Sequence, residues 1–303
     1  MEENKVKLSG GFQNEVFYLE KVGKIERISR NKTKEMILEE LDWMDFLYTR
    51  GVAVPKPTLD VEISGNQVKT YFEYIEGEPV SVTNVSHWNS SNFEEFGRIL
   101  GRMHSLSKDY LTEIKHRPIW TENNPDVCKL RVQLNQELQT IYDSLLQELC
   151  TYGKNADTFG LIHNDFHQGN LIMAKDGTIT VIDFDDCALN WFAQDIAVFF
   201  YHAYWQQESF IGNKESFCRE FLNHFFAGYQ EENLLKEESI KQIPIFLKVR
   251  EIFLYQLFVK IWDKNEMEDW QTDTLLDLEN NIKNRVPYAG ISNFSIYVND
   301  PRL

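Results

Sequence analysis

Between residues 161 and 186 the chain reads L-I-H-N-D-F-H-Q-G-N-L-I-M-A-K-D-G-T-I-T-V-I-D-F-D-D, a segment crowded with groups that take protons or bind hard cations. Two short apolar runs, 171–173 and 178–182, flank the pair Asp176-Gly177. Asp-Gly between β-prone runs is a strong hairpin signal. A two-residue turn there sets Asn170 directly opposite Asp183, with Asp165 on the loop just outside the open end. An amide oxygen and a carboxylate, with a second carboxylate beside them, make a hard-oxygen donor set of the kind that suits Mg2+. The run His163-x-Asp165-x-His167 offers a competing reading as a short zinc site, but the pairing of Asn170 with Asp183 favours oxygen ligation.

The elements that must position these groups follow from periodicity. Residues 15–20 and 24–29 are β-prone and joined by a turn around Val22-Gly23. Side chains alternate along a strand, so Ile25 and Arg27 share one face while Lys24, Glu26 and Ile28 share the other. Residues 33–50 carry helical spacing through Ile37, Leu41, Met44 and Leu47 and stop before Gly51. Runs 59–63 and 68–75 flank Ser64-Gly65-Asn66-Gln67, a second hairpin signal. After Gly77 the pattern turns to amphipathic helices over 93–106 and 130–149, then helical blocks over 191–230 and 245–264. The expectation is an α+β chain with a β-rich nucleotide lobe over 1–76, a connector at 72–77, and a helical lobe over 77–303 that carries the hairpin.

The pattern His163-x-Asp165-x-x-x-x-Asn170, followed by Asp183-Phe184-Asp185, resembles the catalytic loop and metal motif of the aminoglycoside phosphotransferase and choline kinase-like family. The resemblance implies a bilobal protein-kinase-like fold. It also implies an ATP-dependent enzyme (GTP not excluded) that uses Mg2+ to phosphorylate a hydroxyl of a small, cationic acceptor such as an aminoglycoside, choline or homoserine. Phosphoryl transfer passes through a loose transition state, so positioning and charge neutralisation dominate. By resemblance, Asp165 is the catalytic base, Asn170 and Asp183 hold the metal, and His163 buttresses the loop. In the first lobe, Ser9-Gly10-Gly11 aligns with the loop over the phosphates and Arg27 stands where the family has lysine. Ile25 would line the adenine pocket, Glu40 or its neighbour Glu39 would pair with Arg27, and backbone groups of Glu73 and Ile75 would bond adenine. Asp195 matches a buried aspartate that ties down the catalytic loop, although from the residues alone it could equally be a helix N-cap. Asn164 and Asn190 stand where the family has glycine, and Asn tolerates the left-handed conformation. The D-F-D-D-C segment also resembles stress-response kinases of protein Ser/Thr, and a catalytically silent nucleotide-binding module is a further alternative.

Composition narrows the partners. Asp plus Glu number 47 against 31 Lys plus Arg, a net charge of -16 that repels nucleic acid and anionic membrane and tolerates cationic small molecules. Four cysteines without a C-x-x-C pair argue against structural zinc or a disulfide framework and fit a reducing cytoplasm. The start lacks an apolar signal core, and the longest apolar stretch, 191–205, is interrupted by Gln194, Asp195 and His202. Candidate acceptor walls are Asp185, Asp186, the 195–205 segment with Tyr201, Tyr204 and Trp205, and the helix holding Arg250, Glu251, Tyr255, Trp262 and Asp263. Acid and aromatic groups together suit a cation.

Overall fold

The computed structural model describes residues 5–8, 14–30, 32–110, 112–121 and 134–298. The expected phosphate-covering residues Ser9, Gly10 and Gly11 lie outside them, as does the start of the helix expected at 130. The chain divides into two compact units that do not follow chain order.

The β-rich unit comprises Met1–Ser81, Asp109–Arg117 and Gln168–Cys187. Its antiparallel sheet has the order β1-β2-β3-β5-β4, from β1 (Lys5–Lys7), β2 (Asn14–Leu19), β3 (Lys24–Ser29), β4 (Pro57–Ser64) and β5 (Gln67–Glu73). Helix α1 (Lys34–Thr49) starts where the Thr33 hydroxyl accepts from the Met36 N–H. It buries the anticipated stripe of Ile37, Leu41, Met44 and Leu47, and with it one charged group, Glu40. A second sheet pairs β6 (Glu78–Pro79) with β8 (Leu171–Met173), and β8 with β9 (Ile179–Val181).

The β8–β9 hairpin forms as its apolar runs require, but its register differs by one residue from the count for a two-residue turn. Leu171 pairs with Val181 and Met173 with Ile179, so the Ile182 N–H donates to the Asn170 carbonyl and Asp183 falls one position beyond. The loop has three residues. The Gly177 N–H closes a turn onto Ala174, and Gly177 takes φ 89. A three-residue loop that ends in a left-handed glycine is a form that hairpins favour. A one-residue slip would send a strand side chain to the opposite face. Asp183 avoids that outcome by leaving the strand, at φ 62 and ψ 63.

The helical unit comprises Val82–Lys108, Pro118–His167 and Ala188–Leu303. Its helices are α2 (Ser90–Asp109), α3 (Gln136–Cys150), α4 (Phe192–Phe210), α5 (Lys214–Glu232), α6 (Glu237–Ile261), α7 (Asp269–Lys283) and the short α8 (Ser295–Val298). A two-stranded ladder pairs β7 (Phe159–Ile162) with β10 (Ala188–Trp191). The block expected over 191–230 is two helices, because Gly212 (φ 80) and Asn213 (φ 58) turn the chain between α4 and α5. Helix α7 escapes the periodicity reading because only Leu278 and Ile282 are buried along it. Helices α2 and α5 pack backbone against backbone. A Cβ at Gly97 would stand 1.9 Å from the Phe225 carbonyl oxygen, and one at Gly228 1.9 Å from that of Glu94. Among the described residues, no helix is long and apolar enough to cross a membrane.

Candidate active site

In the β-rich unit one cavity of about 560 Å3 gathers residues far apart in the chain. Ile25 and Arg27 reach it from β3, Glu40 from α1, Phe72 and Glu73 from β5, Ile75 from the segment after it, and Asn170 and Asp183 from the two ends of the hairpin. The rest of the wall is mostly apolar, including Leu8, Val16, Met44, Pro55 and Ile182. A slot of this size, with few polar groups, suits a planar heteroaromatic ring. At its edge the Glu73 N–H donates to Lys56 and the Tyr74 N–H to Gly23, so a ligand contact at residue 73 falls to its carbonyl.

Arg27 and Glu40 form a two-pronged ion pair, with Nη1 2.7 Å and Nη2 3.0 Å from the carboxylate oxygens. Both are buried, and Glu40 is fully so. Burial opposes the Arg27 charge, but Glu40 and then Asp185 more than offset it and hold the guanidinium protonated. Such a planar fork suits carboxylate and phosphate oxygens alike. Glu39 does something else. Its carboxylate accepts from the backbone N–H groups of Lys115, His116 and Arg117. Arg117 in turn donates to the Cys187 carbonyl at 2.8 Å and to the Asp185 carbonyl, and lies 3.6 Å from Glu40. Asp185, expected among the acceptor walls, is instead drawn to Lys32 at 2.8 Å and Arg27 at 3.6 Å. Burial would raise its pKa, but Arg27 and Lys32 prevail and lower it. Sequence reasoning missed Lys32 and Arg117, because a lone cation in a loop carries no spacing signal.

The remaining candidates, His163 and Asp165, belong to the helical unit. Asp195 accepts from the backbone N–H groups of His163 at 3.0 Å and Asn164 at 2.6 Å. It is wholly buried beside His104, whose Nε2 lies 3.3 Å away. Asp195 is not the N-cap of α4, a position that Trp191 occupies. The left-handed residue of the loop is Asn164, at φ 69, whereas Asn190 sits in β10 and donates to the Asn164 side chain. Asp165 follows, half-buried. Arg250 Nη2 lies 2.9 Å from its Oδ1 and His167 Nε2 3.4 Å from its Oδ2. Burial pushes the Asp165 pKa up, yet Arg250 and then His167 hold it well below the usual carboxylate range. Of the other acceptor-wall candidates, Tyr201 is buried against Tyr288, and Glu251 is buried with Lys248 as its ion-pair partner. Those two groups are core.

The donor set fits a divalent cation only in part, which is informative. Asn170 and Asp183 bring one amide and one carboxylate to the cavity, and no group of three or more His, Cys, Asp or Glu side chains gathers as a metal cage among the described residues. Mg2+ suits such a sparse protein contribution, because it keeps waters and takes phosphate oxygens. The zinc run is not supported, since His167 turns to Asp165 and stacks on His202 with ring centroids 4.6 Å apart.

The model of the family described as "Phosphotransferase enzyme family" matches residues 6–235. Amicoumacin kinase of Bacillus subtilis (strain 168) is 32% identical over 268 residues, covering 84% of this chain and 79% of that relative. A solved structure of amicoumacin kinase hAmiN, in complex with AMP-PNP, Ca2+ and Ami, matches with a TM-score of 0.85 at 27% identity, over 96% of this chain and 91% of that one. A microcompartment-associated aminopropanol kinase shares the fold, with a TM-score of 0.71 at 20% identity over 95% of this chain and 94% of its own. The fold is α+β and protein-kinase-like.

Proposed function

We propose a function for this chain, which belongs to the phosphotransferase enzyme family and is a kinase: it moves the γ-phosphate of ATP to a hydroxyl of a small, amine-bearing acceptor. The observation that carries the reading is the cavity onto which Ile25, Arg27, Glu40, Glu73, Ile75, Asn170 and Asp183 converge. Its relatives are kinases of small molecules, which favours such an acceptor over a protein. The net charge of -16 favours an amine on it.

In this reading the apolar slot takes adenine against the 73–75 backbone. Arg27, held in place by Glu40, faces the phosphates. Asn170 and Asp183 would hold Mg2+, which when bound supplies charge neutralisation at the phosphates. Asp165 orients the acceptor hydroxyl. The acceptor oxygen bonds to the γ-phosphorus as the bond to the β-phosphate oxygen breaks, ADP leaves with that electron pair, and the hydroxyl proton passes to Asp165. A carboxylate held well below its usual pKa is a weak base, which suits a proton that moves late in a loose transition state. Asp195 keeps the loop in place by accepting from two of its amides.

Asp165→Asn tests the assignment. Loss of a general base costs roughly 10²–10⁴-fold in kcat. Thermal stabilisation by Mg-ATP should survive the substitution. A kcat within about threefold of wild type would remove Asp165 from the base role.

A further inference from the structure

Beside Asp165 the helical unit holds a cluster that general base chemistry does not require. Arg250 Nη2 bridges Asp165 Oδ1 at 2.9 Å and His202 Nε2 at 2.7 Å. The His202 ring stacks on His167, which faces the other Asp165 oxygen. Arg250 is 6% exposed, lies 4.8 Å from the Phe253 ring, and its Nε is buried with no hydrogen-bond partner. Glu251, next in sequence, does not neutralise it, because Glu251 pairs with Lys248.

We propose that Arg250, supported by His202, reads the group next to the phosphorylated carbon and selects hydroxyls whose neighbouring carbon carries a carbonyl or carboxylate oxygen. The inference rests on the kinase reading above and adds the acceptor's class. Arginine has five N–H donors and no acceptor, and it stays charged. A buried donor without a partner is costly and is satisfied by an incoming oxygen. A hydroxyl hydrogen-bonded to Asp165 places its neighbouring carbon beside the guanidinium, since both contact one carboxylate. There an acyl oxygen meets a guanidinium N–H, whereas an ammonium meets a like charge. An amine elsewhere on the acceptor is compatible. Burial, with Arg250 adjacent, holds the His202 pKa well below the imidazole range, so its neutral Nε2 accepts from Arg250 and fixes the orientation of the guanidinium.

The matched probes are isoserinamide and 1-aminopropan-2-ol, which share amine and hydroxyl and differ in the carbonyl. With Mg-ATP, wild type should show kcat/KM at least about 100-fold higher for isoserinamide, the scale set by leaving a polar site group unpaired. Arg250→Met should bring the two within about tenfold, mainly through a higher KM for isoserinamide, while Arg250→Lys keeps an intermediate ratio. Should Arg250→Met fail to fold, His202→Phe, which removes the acceptor nitrogen but not the ring, should lower the ratio. Equal use of the two probes by wild type, or a ratio unchanged in Arg250→Met, overturns the proposal. Wild type that is stabilised by ATP yet phosphorylates neither probe also overturns it. Absence of any stabilisation by ATP would bring down the kinase reading instead.

Discussion

Glu40→Gln isolates electrostatics at the centre of the nucleotide cavity. Gln preserves the volume of Glu, so no cavity forms and the loss is that of charge. In the wild type Glu40 receives two charge-assisted bonds from Arg27, at 2.7 and 3.0 Å, and lies 3.6 Å from Arg117. Removing one partner of a buried ion pair costs about 3–5 kcal/mol. Here Asp185, 3.6 Å from Arg27, still offers compensation, and the new amide can accept one bond. The expected loss therefore lies at the lower end, about 3 kcal/mol. At roughly 2–4 °C per kcal/mol that is a fall of about 6–12 °C in Tm. Differential scanning calorimetry with and without Mg-ATP measures both the loss and the weaker nucleotide stabilisation that a misplaced Arg27 should cause. A cycle with Arg27→Met should return a coupling energy above about 1 kcal/mol. A Tm shift under about 2 °C, or a coupling below about 0.5 kcal/mol, would refute the view that Glu40 holds Arg27 in place.

Stability should decline on acidification in two stages. His104 and His202 are kept neutral chiefly by burial, below the ordinary value of 6.5. Below about pH 6.5 the unfolded chain therefore binds protons that the folded one does not, and stability falls. The depressed Asp165 and Asp185 add a second loss from about pH 4 downward as the pH nears their folded values. A Tm that stays flat from pH 7 to 5.5 would contradict the first stage. Gly97→Ala must push α2 from α5, since its Cβ would lie 1.9 Å from a carbonyl oxygen, and urea unfolding should show a loss of about 1–3 kcal/mol or more. At Asn164, with φ 69, Ala should cost about 1–2 kcal/mol of backbone strain and Gly should cost less, an order that thermal melts can check.

The residue pattern of 161–186 was enough to fix the chemistry expected of this chain, because phosphoryl transfer needs few groups and their types are restrictive. The alternation along β3 put Ile25 and Arg27 on one face, and both line the cavity. Periodicity located α1, since burial of one face dictates spacing, and the Asp176-Gly177 pair between two apolar runs located the hairpin. Other features depended on contacts between distant segments. Turn length set the hairpin register, and a left-handed Asp183 then turned its side chain back to the cavity. The choice between Glu39 and Glu40 was open in sequence because adjacent helix positions differ only in the direction they face. The structure gives Glu40 to Arg27 and Glu39 to the amides of 115–117. Arg250 meets Asp165 from 85 positions away. A sequence can specify which groups are present and the local period that orients them, but the pairing of buried charges depends on the three-dimensional path that brings them within about 3 Å, where Coulomb attraction can offset desolvation.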